Sequence, residues 1–361
     1  NLGTGPVKGF AITLIIGVLV SLFTAVTVTR SLLAFLVASG LASNPKWYAV
    51  ERTWFGERFE AQADENPLRI VDKPAKWFLI SLATIVIGIP FVFIGGFKLS
   101  YEFQGGYEVG LALKGKSVSL GQISDRLRSA GFEGANVKLA GSGDAAEAVV
   151  TVPPGAAKQG ETPGQVVQRV AQAAGFNPAS VEEGGDVAES GKVGETVRAE
   201  TIRNAILGIV LSMALIVVYL GLRFGVALGN FVAGLRFGLS AIGALLHDVL
   251  VVVGVTAIVG YLFNWEISAL FITSMLTVIG FSVHDTIVIF DRIRENLRRP
   301  LPSEDFAHLV NRSITRSFAR SINTSSTVIV TLVILLAMGT TTPDLKLFTI
   351  TMLVGILSGT Y

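Results

Sequence analysis

Residues 276–296 read LTVIGFSVHDTIVIFDRIREN, an apolar run that carries His284 and Asp285 and closes on a charged tail. A bilayer core about 30 Å thick takes about 20 apolar residues in a helix, and the run before Asp291 meets that length. Asp285 lies six residues before Asp291, about 9 Å inside the charged end of the helix at 1.5 Å per residue. An ionised acid at a helix centre costs about 2.5–3.5 kcal/mol, so such acids generally face a bundle interior or a water path. The plainer alternative is an acid near the interface, paired and structural.

Working outward, further apolar runs at approximately 9–30, 77–97, 201–222, 237–260 and 318–338 join 267–290 to give six spans, and a seventh begins at Leu347 and breaks off at Tyr361. The composition agrees: 51% of residues are hydrophobic, 16% are charged and the mean hydropathy is +0.60, too apolar for an ordinary soluble protein. The segment 225–236, GVALGNFVAGLR, is apolar but too short to span, and reads as an interfacial or re-entrant piece. A net charge of +2 removes the electrostatic case for a nucleic-acid partner,. The absence of cysteine excludes disulfides and thiolate metal sites,. The chain opens without Met and stops inside an apolar run, as expected of a piece of a longer polypeptide rather than of a signal peptide.

Lys and Arg in short loops mark the cytoplasmic side. Arg292, Arg294, Arg298 and Arg299, followed by Arg312, Arg316 and Arg320, assign the loop after Asp291 to the cytoplasm. Threading the spans from there places 31–76 inside and 98–200 outside. The outer stretch reads β-α-β-β-α-β, with strands near 107–113, 135–139, 146–152 and 179–183 and helices near 119–132 and 162–175,. That is the ferredoxin-like order. One repeat is visible: PVKGFAITLIIGVL (6–19) aligns without gaps on DLKLFTITMLVGIL (344–357), with Lys, Phe, Ile, Thr, Gly and Leu identical. It predicts that the chain holds the last helix of one half followed by a second half, a parallel repeat of the transporter kind.

Arg320, Thr324, Thr327 and Thr331 follow i, i+4, i+7, i+11 with Asn323 beside them, a polar stripe on one helical face,. Counting along consecutive antiparallel spans places Arg320 level with Asp285. Small packing residues and a snorkelling Arg320 are the competing reading. His247 and Asp248 fall close to the middle of their span; Asp248 either carries protons or makes a helix–helix hydrogen bond. Two His and two Asp are in principle zinc ligands, but neighbours on a helix point about 100° apart and seldom share one ion, which argues against a metal. There is no phosphate loop, nucleophile–base pair or nucleotide fingerprint, so neither an enzyme nor a cofactor is expected.

LTVIGFSVHDTIVIFDRIREN, ALLHDVLVVVG (244–254), VYLGLRF (218–224), RSINTSSTV (320–328) and LKLFTITMLVGILSGTY (345–361) resemble the SecF half of the SecDF protein-export family in the resistance-nodulation-division superfamily, and 3–31 resembles the last helix of the SecD half. The resemblance implies a polytopic α-helical membrane protein with an extracytoplasmic α+β ferredoxin-like domain. Its expected parts are 1–39 (last SecD-like helix), 40–76 (cytoplasmic linker), 77–97 (first SecF-like helix), 98–200 (outer domain) and 201–361 (the remaining helices). It further implies a Sec translocon accessory in the bacterial cytoplasmic membrane, drawing preproteins outward on the proton-motive force. Expected partners are the translocon channel, the SecD half, preprotein, membrane lipid and protons. Carried over by motif, Asp285 is a proton-relay acid, Arg320 its partner and Asp248 a weaker member, with Asn323, Thr324 and Thr327 as supporting polar groups. A non-transporting scaffold and half of a proton-coupled efflux transporter are the alternatives.

Overall fold

The computed structural model describes residues 6–41, 44, 60–114, 116, 118–141, 143, 146–338 and 342–360. Residues 42–43 and 45–59 of the expected linker, and Tyr361, lie outside the described residues.

A chain in hydrocarbon must satisfy every N–H and C=O internally, so the apolar runs become helices. α1 (Pro6–Phe23) continues through a wide turn at Thr24–Val28 into α2 (Thr29–Ala38). α3 (Pro74–Phe91) opens on a proline, whose missing N–H costs nothing in a first turn,. It runs on through Val92–Gly96, where Gly95 turns the chain out at φ +97°. After the α+β part come α7 (Glu195–Leu228), α8 (Phe231–Phe263), α9 (Ala269–Arg298), α10 (Phe306–Ala337) and α11 (Pro343–Thr360). Among the described residues six helices are long and apolar enough to cross a membrane: Lys8–Ala38, Pro74–Gly95, Val197–Leu228, Phe231–Phe263, Ala269–Arg298 and Phe306–Ala337.

The segment 225–236 corrects the sequence reading. It is the end of α7, a turn and the start of α8. Gly229 takes the left-handed φ of +65° that ends α7, and the Asn230 side chain accepts the Val232 and Ala233 N–H groups at 3.0 and 3.3 Å to start α8,. A close approach holds α3 on α8: a Cβ on Gly88 would stand 2.5 Å from the Cα of Gly254.

Between α3 and α7 lie β1 (Lys98–Leu99), α4 (Tyr101–Gln104), β2 (Gly106–Ala112), α5 (Leu120–Ser129), β3 (Asn136–Ala140), β4 (Glu147–Val152), α6 (Pro163–Ala174) and β5 (Val187–Val193). β2 to β5 form one antiparallel sheet in the order β3-β4-β2-β5. Capping boxes at Ser119/Gln122 and Thr162/Gln165 start α5 and α6,. The apolar faces of these helices, including Ile123, Leu127, Val166 and Val170, close over Val109, Leu111 and Val150 of the sheet. The last strand is not at 179–183, where Val181–Glu183 makes a single tight turn; it follows the Gly184–Gly185 turn.

β1 pairs in parallel with β6 (Glu266–Ile267), in the connection between α8 and α9, and so ties the α+β part to the helices. The helical core gathers Leu220, Phe224, Leu245, Phe271, Val278 and Ile279. α11 packs on α8, α9 and α10. Its Phe348 meets Phe10 of α1 edge to face, with ring centroids 5.8 Å apart. These two phenylalanines occupy matched positions of the repeat.

Candidate functional site

α9 and α10 are consecutive, antiparallel and side by side. Asp285 stands 13 residues before the end of α9 at Arg298, and Arg320 stands 14 residues after the start of α10 at Phe306. At 1.5 Å per residue both lie about 20 Å from their shared loop, so they are level. Asp285 is 3% exposed, and one of its carboxylate oxygens, Oδ2, is buried with no hydrogen-bond partner among the described residues. His284 Nδ1 is 3.6 Å from Oδ1, too far for a hydrogen bond, and its ring is half exposed,. Ser325 and Arg320 of α10 act on Asp285 as polar and charged neighbours, yet Asp285 and Arg320 make no direct ion pair. A buried carboxylate without its full set of partners is costly in its charged form. The arrangement therefore suits an acid that gains and loses a proton.

The stripe on α10 divides. Thr324, Thr327 and Thr331 donate their hydroxyls to the carbonyls of Arg320, Thr324 and Thr327 at 2.9, 2.7 and 3.0 Å, so each is satisfied by its own helix. Arg320, Asn323, Thr327 and Thr331 are exposed, on a face that none of the described residues covers. Asp248 is different. It is 4% exposed, and it accepts from Ser282 Oγ of α9 at 2.6 Å, from Ser358 Oγ of α11 at 2.7 Å and from its neighbour His247 Nδ1 at 3.0 Å. Through those bonds it joins three helices. Ser282 lies one turn before Asp285 on α9, a position readable from the i, i+3 spacing, whereas Ser358 and Ser325 carry no signal of their own. Among the described residues no three of His, Cys, Asp and Glu gather as metal ligands.

The α+β part is seated by buried polar contacts. Lys138 of β3 pairs with Glu266 of β6 at 2.9 Å, and Asn136 donates to the other oxygen of Glu266. Glu102 of α4 accepts the Ala269 N–H at 2.5 Å, at the positive end of the α9 dipole,. Burial, reinforced by Asp344, pushes the Glu108 carboxyl up to about 7, with Lys138 working against the shift.

Comparison with known proteins agrees with this architecture. The family model "Protein export membrane protein SecD/SecF, C-terminal" matches residues 179–361. The chain is 38% identical to protein translocase subunit SecF of Thermobaculum terrenum, over 79% of this chain and 87% of that one. It is 31% identical to protein translocase subunit SecDF of Bacillus subtilis, over 99% of this chain and 46% of that one. The crystal structure of SecDF from Thermus thermophilus superposes over 100% of this chain and 44% of its own, with a TM-score of 0.75 at 28% identity. A second SecDF crystal structure, in a super-membrane-facing form, covers the same shares with a TM-score of 0.58 at 29% identity. The chain thus spans less than half the length of the SecDF proteins it matches, and nearly all of a SecF. With a family model matching its second half and a SecF relative matched over most of both chains, this multi-pass membrane protein belongs to the SecD/SecF family of protein export membrane proteins.

Proposed function

We infer that the chain is the SecF side of an accessory to the Sec translocon in the bacterial cytoplasmic membrane, and that it uses proton flow to help draw preproteins outward. Asp285 takes up and releases the proton, Arg320 is its counter-charge, and the expected partners are the translocon channel, a SecD half, preprotein and lipid. The observation that carries this reading is the buried Asp285 carboxylate with an unpartnered oxygen, level with an arginine that does not neutralise it. One charge crossing 100 mV releases about 2.3 kcal/mol, enough to shift a balanced packing equilibrium.

The rest of the assignment follows the same frame. The β-α-β-β-α-β order and the strand order β3-β4-β2-β5 support a ferredoxin-like domain over 98–200, on the side away from the Arg-rich loop. α11 is the seventh span. α1 and α2 are the last helix of the SecD-like half: in a repeat related by a two-fold axis, equivalent residues meet at the axis, as Phe10 and Phe348 do. The test is Asp285→Asn in the full-length protein, followed by proton-gradient-dependent preprotein export into membrane vesicles. Loss of the gradient-dependent part at normal protein abundance is expected. Export unchanged in amount and in gradient dependence would leave the scaffold reading in its place.

A further inference from the structure

The start of α10 carries a buried polar face that the relay does not use. Asn311 and Thr315, one turn apart, are 3% and 1% exposed. What covers them is the segment before α3. The Asn311 amide oxygen accepts the N–H groups of Ile70 and Val71 at 3.0 and 2.9 Å, and its amide nitrogen donates to Asp72 at 2.9 Å. Thr315 Oγ1 accepts the Leu68 N–H at 2.9 Å. At the upstream end of the segment, Asp64 takes both of its oxygens to Arg316 at 2.6 Å and lies 3.5 Å from Arg312. At the other end, Trp77 in the first turn of α3 donates to the Ile70 carbonyl at 3.1 Å.

These contacts use backbone N–H groups at fixed positions, so they fix α10 along its axis as well as holding it. A sliding helix would break three N–H bonds together. Asn311 and Arg320 belong to one uninterrupted helix, about 14 Å apart along it, so any axial displacement at Asn311 reaches Arg320 undiminished. Arg320 is level with Asp285 without touching it, and the approach of the two therefore depends on where α10 is held.

We propose that residues 63–72 form a strap that sets the height of α10, with Asn311, Thr315 and the Asp64–Arg316 pair as positioning contacts that keep Arg320 opposite Asp285. The functional part of this inference rests on the relay reading; the register part does not. The test uses the full-length protein in membranes, cysteine-free outside the introduced pair. Asp285→Cys is combined with a cysteine placed in turn at 317, 321, 324 and 325, and the oxidative cross-linking yield at each maps the register of α9 on α10. With the strap intact one position dominates. In the Asn311→Ala, Thr315→Val background, yield at the neighbouring turn should rise at least threefold. Asp64→Ala, which removes a half-exposed carboxylate and leaves Asn311 and Thr315 in place, should move the profile the same way by less, and Asp64→Glu should restore it. In protein retaining Asp285, gradient-dependent export should fall at least tenfold in the double variant. A clamp that only stabilised the fold would lower abundance and leave the profile in place, and an unchanged profile in both backgrounds overturns the strap. If the profile shifts while Asp285→Asn exports normally, the strap stands and the relay falls. If Asp285→Asn abolishes export while the profile holds still, the strap alone falls.

Discussion

Lys138→Met tests how the α+β domain is seated on the helices. Lys138 and Glu266 are 2.9 Å apart, with side-chain exposures of 11% and 9%. At an effective dielectric of 20 their attraction is about 6 kcal/mol, most of it spent on desolvation, and breaking such a pair from one side costs about 3–5 kcal/mol. The two sides are not equivalent. Lys138→Met leaves Glu266 buried without its cation and close to Asp344. Glu266→Gln leaves Lys138 with Glu108 and Asp344, both of which it already influences. Lys138→Met should therefore cost about 3 kcal/mol or more, and Glu266→Gln about 1 kcal/mol. The double variant should recover at least about 2 kcal/mol relative to the sum. Amide hydrogen exchange on the protein in nanodiscs reads this directly, since Asn136–Ala140 and Glu266–Ile267 exchange by local opening,. Lys138→Met should speed it by roughly a hundredfold, at 1.4 kcal/mol per factor of ten. Equal effects from the two single variants, or an additive double variant, would refute the asymmetric-charge reasoning.

Two other expectations follow, one from titration in the same domain and one from packing between the membrane helices. Glu108 has a folded-state value of about 7 against 4.5 in its ordinary state, raised first by burial and then by Asp344. A raised carboxyl stabilises the fold fully below 4.5 and loses that contribution as pH rises through about 7, by at most about 3 kcal/mol. Thermal melts between pH 5 and 8 should fall with rising pH, and Glu108→Gln should flatten the slope; an equal slope in the variant would refute the assignment. In the membrane part, Gly88→Val drives a Cβ to 2.5 Å from the Gly254 Cα, whereas Gly254→Ala meets Gly88 at 3.0 Å and a side chain at Gly17 meets nothing within 4 Å. Melting in detergent should drop most for Gly88→Val, about 3 kcal/mol or more, less for Gly254→Ala and hardly for Gly17→Ala.

Hydropathy located the centres of the spans because lipid leaves a helix no alternative, but it misjudged where helices end. α7 and α8 run on through Arg223 and Arg236, since a helix outside the apolar slab needs only its own hydrogen bonds, and the Gly229–Asn230 pair that stops one and caps the other is a sequence signal that a hydropathy window averages away. The last strand escapes the periodicity because VAESGKV, mostly exposed at the sheet edge, alternates too weakly to stand out. Counting residues made Asp285 and Arg320 level, since antiparallel neighbours share a loop, but it could not tell whether they touch. The strap was not legible at all. Its bonds run from side chains of α10 to backbone N–H groups of a stretch with no periodicity, and any sequence there offers the same N–H groups.

The polar face of α10 is left open by the described residues. Arg320 and Asn323 are exposed beside Thr327 and Thr331. The threonines cost little against lipid, because their hydroxyls bond to their own helix; a guanidinium in hydrocarbon costs about 2.5–3.5 kcal/mol, and snorkelling relieves it only near an interface. An arginine level with a buried acid is better accommodated if another polar surface covers it. The SecDF relatives are more than twice the length of the part matched by this chain, and Phe10 meeting Phe348 brings the first of the repeated segments to the edge of the helical bundle.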